Sequence, residues 1–408
     1  MDVIVLGLML LSLTIWLGLL SFWGQFWRTD EQLEVRETQL ESLPAVCAVV
    51  PARNEAQLLP TTLRSLLLQD YPGSFNVFLV DDRSTDRTAN FAEGVAHAVA
   101  KPQQLHIISG EPLPPGWSGK LWAVEQGIKR ASKFAPDYFL LTDADIEHDP
   151  GNLRRLVAKA VQEDLDMVSV MVRLRCESFW EKLLIPAFVF FFQKLYPFRW
   201  VNNPNNSTAA AAGGSILISR EALERIGGIQ VIRQALIDDC ALAQAVKNIG
   251  RQSNPSFSPA SPASPAPPAS LGRIWLGLST LTRSLRPYDS LATIWDMVAR
   301  TAYTQLNYSP LLLLGTLVGM PLVYLVPPVC IIFGAVWGSW AIALTGLLGW
   351  LLMTLAYYPT IRFYKCSPWL AFSLPAIAFL YTLMTLDSAL RHWQGRGGTW
   401  KGRVYPSS

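Results

Sequence analysis

Two aspartates that follow an apolar run are the residues best suited to hold a cation. Asp143 and Asp145 end the segment YFLLTDAD, which is predicted to be a strand over 138–145. Residues two apart on a strand point to the same side, so both carboxylates can converge on one ion. Mg²⁺ and Mn²⁺ prefer oxygen ligands, and such a cation can neutralise a departing diphosphate. A divalent-cation site is therefore predicted at Asp143 and Asp145, with solvated acids at a strand end as the alternative.

A second acid pair, Asp238 and Asp239, opens a helical pattern in ALIDDCALAQAVK. Two adjacent acids among apolar residues are unfavourable unless they are paired or used. One of them could take a proton from an acceptor hydroxyl as general base. Neighbouring helical residues project about 100° apart, so only one is expected to face the acceptor. Capping of the helix N-terminus by acids is the alternative.

Three further positions are predicted to contact a phosphorylated donor. Asp81 and Asp82 end the apolar run FLV and could accept hydrogen bonds from a nucleobase or ribose; a turn before the next helix, which Asp86 would serve better, is the alternative. Lys120, in PGWSGK, begins a helix after a glycine-rich turn, where a cation and free N–H groups can meet phosphate. An ordinary solvated lysine remains possible there.

The loop NNPNNSTAAAAGG ends in Gly213 and Gly214, where the missing side chains permit close approach of the backbone. We expect these glycines to contact the acceptor, and a plain tight turn is the rival interpretation.

Strands and helices alternate around these residues. The predicted strands are 45–50, 76–82, 105–109 and 138–145, and the predicted helices are 58–69, 85–100 and 120–132. This order predicts an α/β fold with a doubly wound sheet, in which ligands bind beyond the carboxyl ends of the strands. Pro51, Arg53 and Glu55 follow the first strand and are therefore predicted to contact the donor with Asp143. RIWLGL, over 273–278, is predicted to be a later strand.

The chain is apolar at both ends. Residues 3–23 carry no charge and are long enough to cross a bilayer. They lack the features of a cleaved signal peptide, so residues 1–25 are predicted to be a transmembrane anchor. Arg28 and Arg36 follow the anchor, and this positive-inside bias places the middle domain, 40–300, in the cytosol.

The C-terminal block, 309–390, contains two predicted membrane helices, 311–333 and 336–358, and a third apolar segment, 367–389. The basic residues before the third segment and the basic tail, 391–408, both favour the cytosolic side. We therefore expect the third segment to be interfacial or re-entrant.

Two segments interrupt the middle domain. Residues 183–199 combine LLIPAFVFFF with aromatic and basic flanks, which is typical of an interfacial helix, and a buried core helix is the alternative. Residues 253–272 are almost entirely Pro, Ser and Ala, so we expect a disordered loop there.

Composition restricts the class of protein. A net charge of +3 does not indicate nucleic acid as a partner. The five cysteines show no CxxC spacing, which disfavours a zinc site or a disulfide framework and suits a reducing compartment.

Four motifs in order resemble the family 2 glycosyltransferases of GT-A fold. They are PARNEAQLLPTTLRSLLLQDYP, VDDRSTDRT, TDAD and the later Asp-Asp, and the resemblance covers roughly 45–300. TAAAAGGSILISREALERIGGI, IRQALIDDCALA, LRPYDSLATIWDMVARTAYTQLNYS and GTWKGRVYP are similar to the hopene-associated members. More distantly, the chain resembles ceramide glucosyltransferases, whose acceptor is a lipid.

The resemblance implies that Asp81 contacts the base of the donor, that Asp143 and Asp145 hold donor and metal, and that Asp239 is the base of an inverting displacement. The implied function is a metal-dependent transfer from a nucleotide sugar, such as a UDP-sugar, to a membrane lipid, with hopanoids among the candidates, by a multi-pass protein of the cytoplasmic membrane.

Two departures from the family pattern affect this hypothesis. The QxxRW motif of processive synthases is replaced by ARTAYTQL, which keeps Arg300 and argues against a processive synthase. The Pro/Ser/Ala loop is foreign to the pattern. A degenerate domain that serves as a membrane scaffold is the competing hypothesis, and it would require loss of the acidic motifs.

Overall fold

The computed structural model describes residues 2–33, 43–249, 272–396, 399–400 and 403–404. Arg36, the Pro/Ser/Ala loop up to residue 271 and the tail residues 397–398, 401–402 and 405–408 lie outside the described residues. The chain divides into two compact units. The sheet unit comprises 31–173 and 200–286, and the apolar unit comprises 1–30, 174–199 and 287–408. Two segments of the predicted middle domain, 40–300, therefore fall in the apolar unit: 174–199 and 287–300.

An eight-stranded mixed sheet forms the centre of the sheet unit, in the order β3-β2-β1-β4-β7-β6-β8-β5. Its strands are β1 Val46–Ala52, β2 Phe75–Asp81, β3 Leu105–Ser109, β4 Tyr138–Thr142, β5 Ile146–Glu147, β6 Met167–Arg173, β7 Ser215–Ser219 and β8 Ile274–Ser284. Neighbours among β1 to β4 pair in parallel, which confirms the prediction for the first half of the fold. β7 runs antiparallel to both β4 and β6, a reversal that the sequence pattern did not predict.

Helices cover the sheet through apolar stripes. They are α2 Leu59–Leu67, α3 Thr88–Ala98, α4 Gly119–Ala131, α5 Asn152–Gln162, α8 Arg220–Arg225 and α9 Asp238–Lys247, while α7, Phe198–Asn202, straddles the division between the units. Leu59, Leu63 and Leu66 of α2 share one buried cluster with Val46 and Val50 of β1. On α4, Gly127 lies so close to Val49 and Val80 that a Cβ would overlap Val49. This contact holds α4 tightly on β1 and β2.

The topology gathers chain segments at one edge of the sheet. The carboxyl ends of β1, β2 and β4 share this edge because the three strands are parallel. β7 is antiparallel to β4, with Thr142 opposite Ser215, so the residues that precede β7 reach the same edge. Gly213 and Gly214 therefore lie beside the acids that follow β4.

β4 is shorter than predicted. It ends at Thr142, and residues 143–145 form a turn in which the Ile146 N–H donates to the Asp143 carbonyl at 3.3 Å. The Thr62 hydroxyl of α2 donates to the Ala144 carbonyl at 2.7 Å and fixes this turn. The prediction that Asp143 and Asp145 project from one face of a strand is therefore wrong, because neither residue is on a strand.

The apolar unit is helical. Its helices are α1 Asp2–Phe22, α6 Phe179–Leu195, α10 Leu291–Ala299, α11 Ala302–Gln305, α12 Pro310–Met320, α13 Val326–Val336, α14 Trp340–Phe363 and α15 Leu374–Trp393. A π-helical turn, Pro321–Leu325, joins α12 to α13, and a 3₁₀ helix, Pro368–Ser373, precedes α15. Within the described ranges, four stretches are long and apolar enough to cross a membrane: Ile4–Phe22, Pro310–Val336, Trp340–Phe363 and Pro368–Trp393.

The helix predicted to be interfacial, α6, is buried along much of its length. Leu184, Ala187 and Phe190 belong to one apolar cluster with Trp16 of α1 and Tyr357 of α14. Because these two helices are themselves candidate membrane spans, the interfacial position of α6 stays a prediction.

The last apolar segment begins and ends at one end of a helical hairpin. α13 and α14 are antiparallel, with Gly346 packed against Pro327. The start of α12 and the end of α14 therefore lie at the same end of this hairpin. The ring of His392, near the end of α15, stacks on Tyr308, just before α12, with centroids 4.4 Å apart. The segment starts directly after α14, and its Phe372 carbonyl accepts a bond from Trp350, in the middle of α14, at 3.1 Å.

Candidate active site

Lys120 bridges two of the predicted acids at the carboxyl edge of the sheet. Its Nζ lies 2.9 Å from Oδ1 of Asp143 and 3.0 Å from Oδ2 of Asp238. α4 presents Lys120 in its first turn because Ser118 caps the helix by accepting the Leu121 N–H at 3.4 Å. A cation near a helix N-terminus opposes the helix dipole, so the two carboxylates stabilise it there. The lysine is thus part of a charged cluster and is not the solvated residue of the alternative interpretation.

Asp239 is held by backbone donors. Its Oδ2 accepts the Gly213 N–H at 2.9 Å, and its Oδ1 accepts the Cys240 N–H at 2.8 Å. Asp238 and Asp239 open α9, where negative charge is favourable. Both residues line the same cavity, which differs from the expectation that only one would face the site. Side chains in the first turn point back past the helix start, so two neighbours can reach the same space.

A cavity of about 30 Å³ lies among these groups. Its polar wall is made of Lys120, Thr142, Asp143, Gly213, Asp238 and Asp239. Its apolar wall is made of Pro51, Leu121, Val124, Leu141, Ile216, Ile229, Ile232 and Leu242. Six residues predicted from five separate parts of the sequence therefore line one space: Pro51, Lys120, Asp143, Gly213, Asp238 and Asp239.

Burial and charge shift the pKa values within the cluster. Burial alone would lower the pKa of Lys120, but Asp143 and Asp238 outweigh it and raise that pKa well above its usual value. Burial raises the pKa of Asp143, and Lys120 partly opposes this shift. Burial, followed by repulsion from Asp238, raises the pKa of Asp239 to about 6, although Lys120 and two backbone N–H groups act in the opposite direction. Perturbed pKa values of this kind are concentrated at functional sites.

The residues predicted to bind the base or ribose lie around the ends of β1 and β2. Asp82 is buried, and Arg53 donates to its carbonyl at 2.6 Å and lies 3.6 Å from its carboxylate. Asp81 Oδ1 accepts the Ser84 N–H at 3.0 Å, the turn contact that the alternative interpretation requires. Asp86 accepts the Thr88 N–H at 3.1 Å, but the residue that directly precedes α3 is Arg87, and no side chain caps the helix there.

Asp145 points toward a different set of partners from Asp143. Its Oδ2 accepts the Ser284 hydroxyl at 2.7 Å and lies 3.3 Å from Nε of Arg286. The same arginine donates to Glu55 at 2.6 Å. Glu55 and Asp145, both predicted at this site, are therefore joined by a residue that the sequence argument did not select. LRPYD, which contains Arg286, occurs in one of the segments used for the family resemblance, so that segment carried the available signal.

Of the two glycines, space requires only Gly214. A Cβ at Gly213 would lie 3.4 Å from Oδ2 of Asp239, and one at Gly214 would lie 2.9 Å from a methyl group of Val172. The Gly214 carbonyl accepts the Thr142 hydroxyl at 2.8 Å. The contact at Gly213 is an ordinary one, whereas the absence of a side chain at Gly214 allows close packing on β6.

The carboxylates after β4 could hold a metal only together with a ligand, because Asp143 and Asp145 contact different partners. The described residues contain no group of three or more His, Cys, Asp or Glu side chains that could hold a metal by themselves. Magnesium is usually bound by one or two carboxylates together with substrate phosphates, and Asp143 and Asp145 provide such oxygen donors.

Part of the chain matches a known protein family. Residues 47–227, less than half of the chain, match the family described as Glycosyl transferase family 2. Uncharacterized protein MJ1222 of Methanocaldococcus jannaschii is 32% identical over 124 residues, which is 30% of this chain and 44% of that protein. An undecaprenyl-phosphate 4-deoxy-4-formamido-L-arabinose transferase of Enterobacter sp. is 30% identical over 151 residues, which is 36% of this chain and 42% of that protein. The chain spans less than half the length of these curated relatives.

One solved structure is similar over almost the whole chain. The mannosyltransferase PcManGT of Pyrobaculum calidifontis, in complex with GDP-Man and Mn²⁺, has a TM-score of 0.51 at 17% identity and is matched over 96% of both chains. At such low sequence identity, this structural similarity shows a common fold and nothing more. The fold is therefore GT-A-like, and residues 47–227 are similar to Glycosyl transferase family 2.

Proposed function

We propose that the protein transfers a sugar from a nucleotide sugar, such as a UDP-sugar, to a hydroxyl or phosphate of a membrane lipid, with inversion at the anomeric carbon. The observation that carries this proposal is the cavity at the carboxyl edge of the sheet, where Lys120 and the acids Asp143, Asp238 and Asp239 meet. The match of residues 47–227 to Glycosyl transferase family 2 supports a sugar-transfer reaction at that cluster.

For a hydroxyl acceptor, Asp239 is the proposed general base. As the acceptor oxygen bonds to the anomeric carbon and the nucleoside diphosphate departs, the hydroxyl proton passes to the Asp239 carboxylate. A pKa of about 6 leaves Asp239 ionised at neutral pH while making it a stronger proton acceptor than an ordinary aspartate. Asp238 is less suited to this role because Lys120 is bound to its carboxylate at 3.0 Å.

The donor would occupy the carboxyl ends of β1, β2 and β4. Asp81, Asp82 and Arg53 would contact the nucleoside, as their positions after β1 and β2 suggest. Lys120 would form an ion pair with the diphosphate and weaken its pair with Asp143, because a buried cation is a suitable partner for phosphate oxygens. Glu55 and Arg286 would complete the wall of the donor site.

A divalent cation would be held by Asp143 and Asp145. When bound, it would act as a Lewis acid that stabilises charge on the departing diphosphate. Ser284 and Arg286 contact the Asp145 carboxylate and fix its orientation.

A lipid acceptor is proposed because the chain combines this domain with four stretches able to cross a membrane. The name of the Enterobacter relative includes undecaprenyl phosphate, a lipid. Within the lipid class, the hopene-associated motifs favour a hopanoid or related triterpenoid. We infer a multi-pass protein of the cytoplasmic membrane with its catalytic domain in the cytosol.

The path of the last apolar segment supports a re-entrant arrangement. Its two ends lie at the same end of the α13–α14 hairpin, beside Cys366 and Tyr308 respectively. A segment that enters and leaves on one side keeps both Lys365 and the basic tail cytosolic, which satisfies the positive-inside bias.

Lipid analysis tests the proposed function most broadly. Mass spectrometry of membrane lipids from cells with and without the gene should show a lipid whose mass differs by one sugar residue. Purified protein incubated with radiolabelled nucleotide sugars and the lipid extract of the deletion strain should restore that product. Identical lipid profiles, together with no transfer from any nucleotide sugar, would refute the proposal.

A further inference from the structure

His148 is the buried histidine of a hydrogen-bonded chain behind the cavity wall. It follows β5 in the sheet unit and is only 3% exposed. Its Nε2 lies 3.0 Å from the Thr142 hydroxyl, and its Nδ1 lies 3.0 Å from the Asn152 side-chain amide on α5. Its own N–H donates to the Ser65 hydroxyl at 2.9 Å, which fixes the backbone beneath the ring.

The partners determine which ring nitrogen carries the proton. The single hydroxyl proton of Thr142 is used for the Gly214 carbonyl, which can only accept. Thr142 must therefore accept from Nε2–H of His148. Burial lowers the pKa of His148 to about 4, so the ring is neutral at physiological pH. Nδ1 is then an acceptor, and the Asn152 amide donates to it.

The chain of bonds ends one residue away from the group that contacts the acid at the cavity. It runs from Asn152 to His148, to Thr142 and to Gly214. The neighbouring Gly213 N–H donates to Asp239 Oδ2 at 2.9 Å. On the other side of this loop, Ala212 is bonded to the Ser169 hydroxyl on β6 at 2.8 Å. The Gly213 N–H is therefore held between two fixed points.

We propose that His148 is a positioning residue, which acts through Thr142 and Gly214 to hold the Gly213 N–H against the Asp239 carboxylate. This assignment rests on the proposed role of Asp239 as the base of the transfer. His148 itself lies behind Thr142 and is not required to touch the substrate.

The geometry predicts the direction of the effect. A hydrogen bond from Gly213 favours the ionised form of Asp239, so loss of that bond raises the pKa of the carboxyl group. The other groups that face Asp239 are Lys120 from α4 and Asp238 and Cys240 from α9, and none of them contacts His148 in this chain of bonds. A variant that releases only the Gly213 loop should therefore shift the titration of Asp239 upward.

Two amide variants separate positioning from space filling. His148→Gln places an N–H donor near the position of Nε2 and should keep the bond to Thr142. His148→Asn is too short to reach Thr142 and should break it. The matched control is His106→Asn on β3, whose ring stacks on Phe78 and bonds Asn76 at 3.2 Å, far from this chain of bonds.

The full-length protein in detergent is labelled with ¹³C at the aspartate carboxyl carbons and titrated by NMR, with the Asp239 signal assigned by its loss in Asp239→Asn. This readout does not require activity, so it remains informative if no sugar transfer is found. The pH profile of kcat/KM is recorded in parallel. We expect His148→Asn to raise the pKa of Asp239 by roughly one unit, as loss of one charge-assisted hydrogen bond would. The acidic limb of the rate profile should move by the same amount.

His148→Gln should titrate like the wild type, and so should His106→Asn. An Asp239 signal that titrates identically in His148→Asn and the wild type would overturn the proposal. An equal shift in both His148 variants would also overturn it, since a merely structural defect would affect them alike. If His148→Asn does not fold, Thr142→Val removes the bond between His148 and Thr142 from the other side. An unshifted pKa of Asp239 in Thr142→Val would also overturn the proposal.

Discussion

Replacing Lys120 by methionine should destabilise the sheet unit in a pH-dependent way. The lysine side chain is 18% exposed and bridges Asp143 and Asp238 at 2.9 and 3.0 Å. Removing one partner of a buried ion pair leaves the other charge uncompensated, at a cost of about 3–5 kcal/mol. We expect the lower end, about 3 kcal/mol, because the acids can bind protons in response. For a unit of this size, such a loss lowers Tm by about 6–12 °C.

The sign of the pH dependence follows from the acids. Without Lys120, the pKa values of Asp143 and Asp239 should rise further above their usual value, since the lysine lowers both. Between the ordinary and the raised pKa, the folded state binds more protons than the unfolded state, so stability falls as pH rises through this window. The deficit of Lys120→Met should therefore be larger at pH 7.5 than at pH 5.

Thermal unfolding of the detergent-solubilised protein at these two pH values measures the effect. Lys129→Met is the matched control, because Lys129 lies on the same helix, is 66% exposed and pairs with Glu125 at 3.3 Å. That surface pair should contribute at most about 0.5 kcal/mol. A Lys120→Met protein as stable as Lys129→Met, or with a deficit that does not change with pH, would refute the electrostatic argument.

Three further predictions concern the metal, the pH profile and the topology. Asp145→Ala or EDTA should reduce sugar transfer at least about 100-fold because the departing diphosphate loses its counter-charge, whereas Glu147→Ala should not; full turnover in EDTA would contradict the metal site. The kcat/KM of the wild type should fall below about pH 6 as Asp239 becomes protonated, and a flat profile down to pH 5 would argue against this base. A cysteine at Ser407 should react with an impermeant reagent only from the cytosolic side and one at Ser339, in the α13–α14 turn, only from outside; labelling of both from outside would make the last segment a true span.

Local sequence signals were sufficient for the first half of the sheet. The apolar runs behind β1 to β3 and the helical spacing of α2 and α4 are set by residues close in the chain, so they were predicted to within a few residues. The end of β4 was missed because a distant hydroxyl, that of Thr62, stabilises the turn that follows it. The direction of β7 depends on its pairing with β4, about 75 residues away in the chain, and no local pattern encodes it.

Most charged residues of the candidate site could be predicted from local sequence, but their contacts with one another could not. Motifs at strand and helix ends identified Lys120, Asp143 and the Asp238–Asp239 pair, and the structure places them around one cavity. The pairing of Lys120 with acids from two separate motifs could not be derived from spacing. Arg286 was missed because its partners, Glu55 and Asp145, are distant from it in sequence. His148 was missed because its partners, Thr142 and Asn152, belong to no acidic motif.

The rate of sugar transfer by Asp239→Asn tests the central claim most directly. Asparagine keeps the shape of the side chain but cannot take the acceptor proton, so transfer by purified protein should fall about 10²–10⁴-fold while the Kd for the nucleotide sugar changes little. Asp238→Asn, which disturbs the ion pair with Lys120 but leaves Asp239 in place, should retain more activity. If Asp239→Asn transfers sugar at a near-normal rate, Asp239 is not the base and the proposed mechanism is wrong.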